Sequence, residues 1–241
     1  MNKFFTLVKG EVLRMKKYNL LTASLFVSAI WVGILHFIDI ENVTNFVPML
    51  VFIDVTTMGM LLVGVTFIYE KDEGTIRTLL VSPISKSEYI LAKIISNIMT
   101  SVLSLTIMYV YSKIFKIIEI NYFILLGAVI LIAFFHSLIG FLLTYYSKDF
   151  TDLFMAIMKL FFVFLLPVIL DEFNIITNEI FKKIVYLLPT KASLTILQAT
   201  TGGVETWQMW LSLIYLLMGS VILYYLVLKG FDHYALKEGG E

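Results

Sequence analysis

The chain has 241 residues, 59% of them hydrophobic, and it carries 18 basic and 18 acidic residues. Soluble domains average about 45–50% apolar residues, so this composition is typical of a membrane protein. The lack of cysteine excludes disulfides, thiolate metal sites and a cysteine nucleophile, and the three histidines form no short metal motif, so no metal site is expected. The balanced charge gives no indication of a nucleic-acid partner, and none is expected.

The start of the chain predicts an amphipathic helix at the membrane surface. Residues 1–19 contain five basic residues and one acidic residue. Lys3 and Arg14 fall on one helical stripe, whereas Val8 and Met15 fall on another. A basic amphipathic helix of this kind lies in the headgroup layer. The alternative is a secretory signal peptide, but its basic region would be shorter and a small-residue cleavage site should follow the apolar run, and none is evident.

Six apolar stretches are long enough to be transmembrane helices, since about 20 residues are needed to cross ~30 Å of hydrocarbon. The predicted spans cover residues 20–38, 46–69, 94–112, 122–146, 153–170 and 207–228. We therefore predict an all-α integral membrane protein with six transmembrane helices, in which residues 1–241 form a single transmembrane domain.

The distribution of lysine and arginine predicts the orientation in the membrane. With the N-terminus inside, the inner segments hold twelve of these residues and the outer segments hold five, while Lys159 lies within the fifth span. Positive charge concentrates on the cytoplasmic side of membrane proteins. Both termini and the segment 70–93 are therefore expected in the cytoplasm.

Residues 70–93 form the longest polar interruption between two predicted spans. Gly74 tolerates backbone angles that other residues avoid, and Thr75 can cap a helix that begins there. Apolar residues from Ile76 to Ile84 recur at helical spacing, and Pro83 limits the helix because it supplies no backbone donor. The pattern predicts a short, half-apolar helix at the membrane surface.

Residues 171–206, on the predicted outer side, are too many for a simple turn. A polar helix candidate at 178–186 precedes a second run at 192–199, and neither is long enough to span the membrane. We expect a re-entrant or surface hairpin, because irregular backbone at membrane depth must be covered by protein or water. The alternative is a failed seventh span, which would place the C-terminus outside.

The segment 70–93 resembles the cytoplasmic loop of type-2 ABC transporter permeases. The residues that match the family pattern are Glu70, Glu73, Gly74, Thr75, Leu79, Leu80, Ser82, Pro83, Tyr89 and Lys93. In that family the loop carries the coupling helix, which docks in a groove of the ATP-binding subunit. The resemblance implies that these residues, together with Arg77 on the same helix, couple the chain to such a subunit. Permeases of this type also have a pair of short outer helices before their last span, which residues 171–206 resemble.

The resemblance implies the membrane subunit of an ATP-driven exporter that moves a drug-like, peptide or lipid-like substrate. A second permease copy, or a related permease, would enclose the path. No G-x-x-x-x-G-K-[ST] motif occurs, so we expect a non-enzymatic subunit that binds no cofactor, with ATP and Mg²⁺ held by the partner. The cysteine-free composition, rich in isoleucine and lysine, is typical of bacteria, and a bacterial plasma membrane is therefore expected.

Three ionisable residues inside the predicted spans are candidates for the transport path, because such groups are costly in a bilayer. They are Asp54, His136 and Lys159. Each has a structural alternative: a capped position for Asp54, hydrogen-bonded packing for His136, and for Lys159 a side chain that reaches toward Asp152 at the inner surface.

The sequence gives no support to two other functions. An ion-gradient-driven transporter or channel would call for paired intramembrane charges or inverted repeats, and an intramembrane enzyme would need a catalytic constellation, and neither is evident.

Overall fold

The fold is all-helical over residues 3–80 and 82–239, the parts of the chain that the computed structural model describes. Within these ranges, the side chains that are not described are those of Arg77, Leu79, Leu80, Asp232, His233 and residues 235–239. The helices are α1 (Lys3–Lys17), α2 (Leu20–Phe37), α3 (Val47–Asp72), α4 (Thr75–Leu80), α5 (Lys86–Phe115), α6 (Tyr122–Thr144), α7 (Phe150–Leu160), α8 (Leu166–Glu172), α9 (Glu179–Val185), α10 (Pro189–Ala199) and α11 (Thr206–Gly239).

Six helical segments are long and apolar enough to cross a membrane, which confirms the prediction of a six-span, all-α membrane protein. They are α2, α3, α5, α6, the continuous segment Phe150–Glu172 and the part of α11 from Thr206 to Phe231. The burial of these segments differs strongly. In α3, 78% of the most apolar window is buried, against 22% in α2 and in α11. The second span is therefore the centre of the bundle, and the first and last spans lie at its edge.

The helix that contains the third predicted span begins before the apolar stretch, since α5 starts at Lys86 and the stretch begins near residue 94. Its start is a capping box. The hydroxyl of Ser85 accepts a hydrogen bond from the Glu88 backbone N–H, and the Glu88 carboxylate accepts one from the Ser85 backbone N–H. The polar segment between α3 and α5 consequently consists mainly of α4 and two short connections.

The closest packing in the core is between α3 and α6. A Cβ atom added to Gly140 would lie 2.5 Å from the Met60 backbone oxygen, so only glycine fits there without a shift. Asn97 of α5 joins the same pair, because its amide donates to the Gly59 carbonyl at 3.0 Å and to the Ser137 hydroxyl at 2.7 Å. Small residues and polar cross-links of this kind hold transmembrane helices together.

The fifth span is interrupted by a π-helical turn at Phe161–Leu165. Pro167 follows in α8 and supplies no backbone donor to the preceding turn. The Phe164 carbonyl in this turn also accepts a hydrogen bond from the Thr190 hydroxyl at 2.6 Å, at the start of α10. The two short helices predicted between spans five and six are thus present as α9 and α10, and α10 packs mainly against α3 and α11.

Helix α1 packs against α2 and α5, with Glu11 and Met15 buried. Phe5 and Leu13 on its other side are more than half exposed. The helix is therefore amphipathic, as its sequence predicts, but a carboxylate lies within the face that it buries.

Candidate functional site

A buried cluster of charged residues lies behind α4, where α1, α3 and α5 meet. It consists of Glu11 and Arg14 from α1, Glu70 from the last turns of α3, and Tyr89 and Lys93 from α5. We call these five residues the charge cluster. Glu70 is completely buried, and the Lys93 side chain is 1% exposed. Such burial is rare for glutamate and lysine unless each is paired.

Every charge in the cluster has an opposite partner. The Lys93 ammonium donates to Glu11 Oε2 at 2.8 Å and to Glu70 Oε1 at 2.7 Å. The Arg14 guanidinium donates to Glu11 at 2.8 Å and also to Glu70, while the Tyr89 hydroxyl donates to the second oxygen of Glu70. Two carboxylates thus face two cations, so the formal charges cancel.

Helical spacing explains why these residues meet. Tyr89 and Lys93 are four residues apart in α5, and Glu11 and Arg14 are three apart in α1, so each pair shares one face of its helix. Glu70 lies near the end of α3, between these two faces. The three helices are therefore joined at one end of the bundle by contacts that no single helix can make alone.

The protonation of the two α1 residues reflects this setting. Burial raises the pKa of Glu11 above its usual value, although the neighbouring Lys93 ammonium opposes the rise. For Arg14, burial favours the neutral form, but attraction to Glu70 and Glu11 outweighs it and the pKa is raised. Arg14 therefore keeps its charge, and the carboxyl of Glu11 is the group that protonates more readily than in water.

The predicted coupling residues divide between this cluster and the surface. Glu70, Tyr89 and Lys93 are inside the cluster, which places their functional groups out of reach of a docking subunit. Glu73 and Pro83 are exposed. Thr75 and Ser82 are partly exposed, and the side chains of Arg77, Leu79 and Leu80 lie outside the described residues.

Among its described side chains, α4 buries Ile76 in the bundle, and contacts at its N-terminal end also hold it. Gly74 adopts a φ of +67° between α3 and α4, a conformation that favours glycine. Ile76 is 3% exposed and joins a hydrophobic cluster with Phe67 and Phe231. Glu73 pairs with Lys17 of α1 at 2.8 Å, and hydrogen bonds from Lys17 and Tyr18 lower the pKa of the Glu73 carboxyl.

A cleft of about 120 Å³ separates α4 from α1. Leu7, Ile76 and Ile84 contribute apolar walls, and Glu11, Arg14, Glu70 and Tyr89 of the charge cluster line its floor. The cleft places the charge cluster directly behind α4.

Asp54 is fixed by hydrogen bonds away from any cavity described here. Its carboxylate is 3% exposed and accepts from the Trp31 indole at 2.8 Å and from the Ser104 hydroxyl at 2.7 Å. These contacts link α2, α3 and α5, which corresponds to the capped, structural alternative for this residue.

His136 is completely buried and borders an apolar cavity of about 200 Å³. Its Nδ1 lies 3.0 Å from the Ile132 carbonyl, to which it must donate, and its Nε2 has no hydrogen-bond partner among the described residues. The other walls of the cavity include Phe161 and Phe164 of the π-helical turn.

Lys159 is exposed on α7 and forms no ion pair with a described residue. The expected contact with Asp152 is absent, and that carboxylate instead accepts from the Lys148 backbone N–H at 3.3 Å. Asp54, His136 and Lys159 thus occupy three different environments. Within residues 3–80 and 82–239, no group of three or more His, Cys, Asp or Glu residues could hold a metal ion.

Sequence reasoning missed Glu11 as a member of the site. The available signal was that it is the one acidic residue in a basic N-terminal segment, four turns of helix with five positive charges. One of its cationic partners, Arg14, is three residues away on the same helix, but the other, Lys93, is 82 residues away, and a single sequence does not reveal such distant pairing.

The model of the Fluoroquinolones export permease protein family matches residues 2–239 of this chain. The chain belongs to this family. The match extends over nearly the whole chain, which also has six helices long and apolar enough to cross a membrane. The protein is therefore a multi-pass export permease, consistent with the type-2 ABC exporter permeases. A search of curated proteins found no significant match.

Proposed function

We propose that this export permease is the membrane subunit of an ATP-driven exporter whose separate ATP-binding subunit docks on α4. The observation that carries the proposal is the charge cluster directly behind that helix. A docking subunit would touch the exposed face of α4, and α4 packs in turn on α3 and α11. ATP and Mg²⁺ would be bound by the partner, and this chain supplies the moving spans.

The cluster supports this role because it resists being pulled apart. Separating Lys93 from Glu11 and Glu70 would leave buried charges without partners, which costs about 3–5 kcal/mol. A push on α4 is therefore passed on to α1, α3 and α5 as one unit rather than absorbed locally. The central position of α3 then carries the movement into the core of the membrane domain.

Two permease chains, both with cytoplasmic termini, would enclose the path and alternate between inward-open and outward-open states. The cargo we propose is an amphipathic aromatic drug, because the family is described as exporting fluoroquinolones. The apolar cavity beside Phe161 and Phe164 offers a suitable lining for an aromatic ring. Lysine and arginine residues are more numerous on the α4 side of the membrane domain, which supports a cytoplasmic position for α4.

Orientation is tested by single cysteines in this cysteine-free chain. Cysteine at Pro83, beside α4, should resist a membrane-impermeant thiol reagent added to sealed cells, and cysteine at Gly203, at the opposite end, should react. Both positions are exposed, so accessibility of the thiol is not limiting. Labelling of the Pro83 variant in sealed cells would contradict cytoplasmic placement of α4.

Docking is tested by Thr78→Trp, which adds bulk to an exposed position of α4, with Thr206→Trp at the opposite end as the matched control. Each variant is co-purified with the ATP-binding subunit and assayed in lipid vesicles for ATPase activity stimulated by a fluoroquinolone. Thr78→Trp should lose both association and stimulation while its thermal stability is unchanged. Normal association and export by this variant would refute docking on α4. Export without the ATP-binding subunit, driven by an ion gradient, would favour a secondary transporter.

A further inference from the structure

A polar pocket of about 460 Å³ lies at the end of the bundle opposite the charge cluster. It is formed by the end of α8, by α10 and by the connections around α9 and the start of α11. Its polar lining includes Asn45, Glu172, Tyr186, Lys191, Gln198 and Gln208. Its volume falls within the range of sites that hold drug-sized molecules. In contrast to the cavity beside His136, most of its accessible wall is polar.

The charges around this pocket do not cancel. Lys191 is the cation at the pocket, and its Nζ is 2.6 Å from Asp171 Oδ2 but 3.9 Å from Glu172 Oε2. Because of this short distance, Lys191 is paired mainly with Asp171. The Lys191 side chain is 11% exposed, whereas the Glu172 side chain is 32% exposed. The carboxylate of Glu172 is therefore the surplus charge, and it is the one that faces the open volume.

The remaining groups suit a positively charged ligand. The Gln198 amide donates to Glu172 Oε1 at 2.5 Å, which positions that carboxylate and leaves the amide oxygen of Gln198 free to accept. Gln208 likewise donates to the Tyr186 hydroxyl at 3.0 Å. Tyr186 is 46% exposed, and the Lys191 ammonium lies 5.6 Å from the centroid of its ring, so the pocket already places one ammonium group beside this aromatic face.

We propose that this pocket binds an organic ammonium group, the basic end of an amphipathic cargo molecule on its way out of the permease. The ammonium site deepens the proposed function, and it rests on that function only for the direction in which the cargo molecule moves. The polar pocket would take the charged end of the cargo molecule, with Glu172 as its counter-ion. Cargo molecules with a basic amine are then favoured over uncharged molecules of the same shape.

The test is a binding measurement on the permease alone in lipid nanodiscs, so it depends neither on ATP nor on a partner subunit. The probe is a dansyl-labelled alkylammonium ion, and its N-acetylated, uncharged form is the matched ligand. Glu172→Gln keeps the size of the side chain and removes its charge. Glu119→Gln makes the same change at an exposed position outside the pocket. Glu172→Gln should weaken binding of the ammonium probe about 5- to 10-fold, as expected for a partly solvated ion pair, and leave the uncharged probe unaffected.

A second variant keeps the proposal falsifiable if Glu172→Gln folds poorly. Gln208→Glu adds a negative charge to the pocket wall, so it should strengthen binding of the ammonium probe several-fold. Equal affinities for the parent, Glu172→Gln and Glu119→Gln proteins would overturn the proposal, and so would equal weakening of both probes. A failure of the proposed function would appear separately, as loss of drug-stimulated ATPase activity with ammonium binding intact.

Discussion

Replacement of Lys93 by methionine should be among the most damaging single changes to this protein. Methionine keeps much of the bulk of the lysine stem but removes the ammonium group that bridges Glu11 and Glu70. Arg14 remains as the one cation of the charge cluster, and it is partly exposed, so two buried carboxylates lose their best partner. We expect a loss of about 3–5 kcal/mol, the usual cost of breaking a buried ion pair.

The measurement is thermal unfolding of the purified permease in detergent. In proteins of this size, 1 kcal/mol corresponds to a shift in Tm of about 2–4 °C, so Lys93→Met should lower Tm by roughly 6–20 °C. Lys159→Met is the matched control, since it removes the same charge from an exposed lysine that has no ion pair with a described residue. Adding Glu70→Gln to Lys93→Met should restore part of the loss, because one stranded carboxylate is then neutral. Equal Tm values for Lys93→Met and Lys159→Met would refute the reasoning.

Three further predictions concern packing, protonation and a polar cross-link. Gly140→Ala should destabilise the fold by about 1–3 kcal/mol, because its Cβ would press against the Met60 backbone, whereas Gly127→Ala, which has open space, should be neutral in the same unfolding assay. Glu11 has a raised folded pKa, so its contribution to the free energy of unfolding falls as pH rises above about 4.5. The parent protein should therefore lose stability relative to Glu11→Gln over that window, and parallel pH profiles would contradict this. Asp54→Ala should cost about 1–3 kcal/mol in thermal unfolding, since it leaves a partly buried indole N–H and a buried hydroxyl without their acceptor, and an unchanged Tm would disprove it.

The spans were predictable because hydropathy records a local requirement, about 20 apolar residues in a row. Hydropathy does not mark the start of α5, because Lys86, Ser87 and Glu88 are polar, but Ser85 indicates a helix cap there. The signal that marks it, Ser85 followed by Glu88 three residues later, was present in the sequence as a capping box. The π-helical turn at Phe161–Leu165 had no comparable signal, because its contact with Thr190 depends on how α10 packs.

The candidate site was only partly predictable. The matching segment directed attention to Glu70, Tyr89 and Lys93, but their arrangement as a buried ion-pair cluster depends on α1, which the pattern does not include. Asp54 shows the same limit. Its burial in a span suggested a capped or inward position, but its donors, Trp31 and Ser104, come from two other helices and are found only once these are packed.

The charge cluster also has a consequence for how the chain assembles during synthesis. Glu11 is made 82 residues before Lys93, the buried cation that pairs with it in addition to Arg14. At about 5–20 residues per second, roughly 4–16 s pass between the two. During that interval α1 has no place to bury its carboxylate, so it must wait in the headgroup layer, where its exposed Phe5 and Leu13 keep it close to the bilayer. The first helix of the chain therefore completes its contacts with the bundle only after α5 has been made.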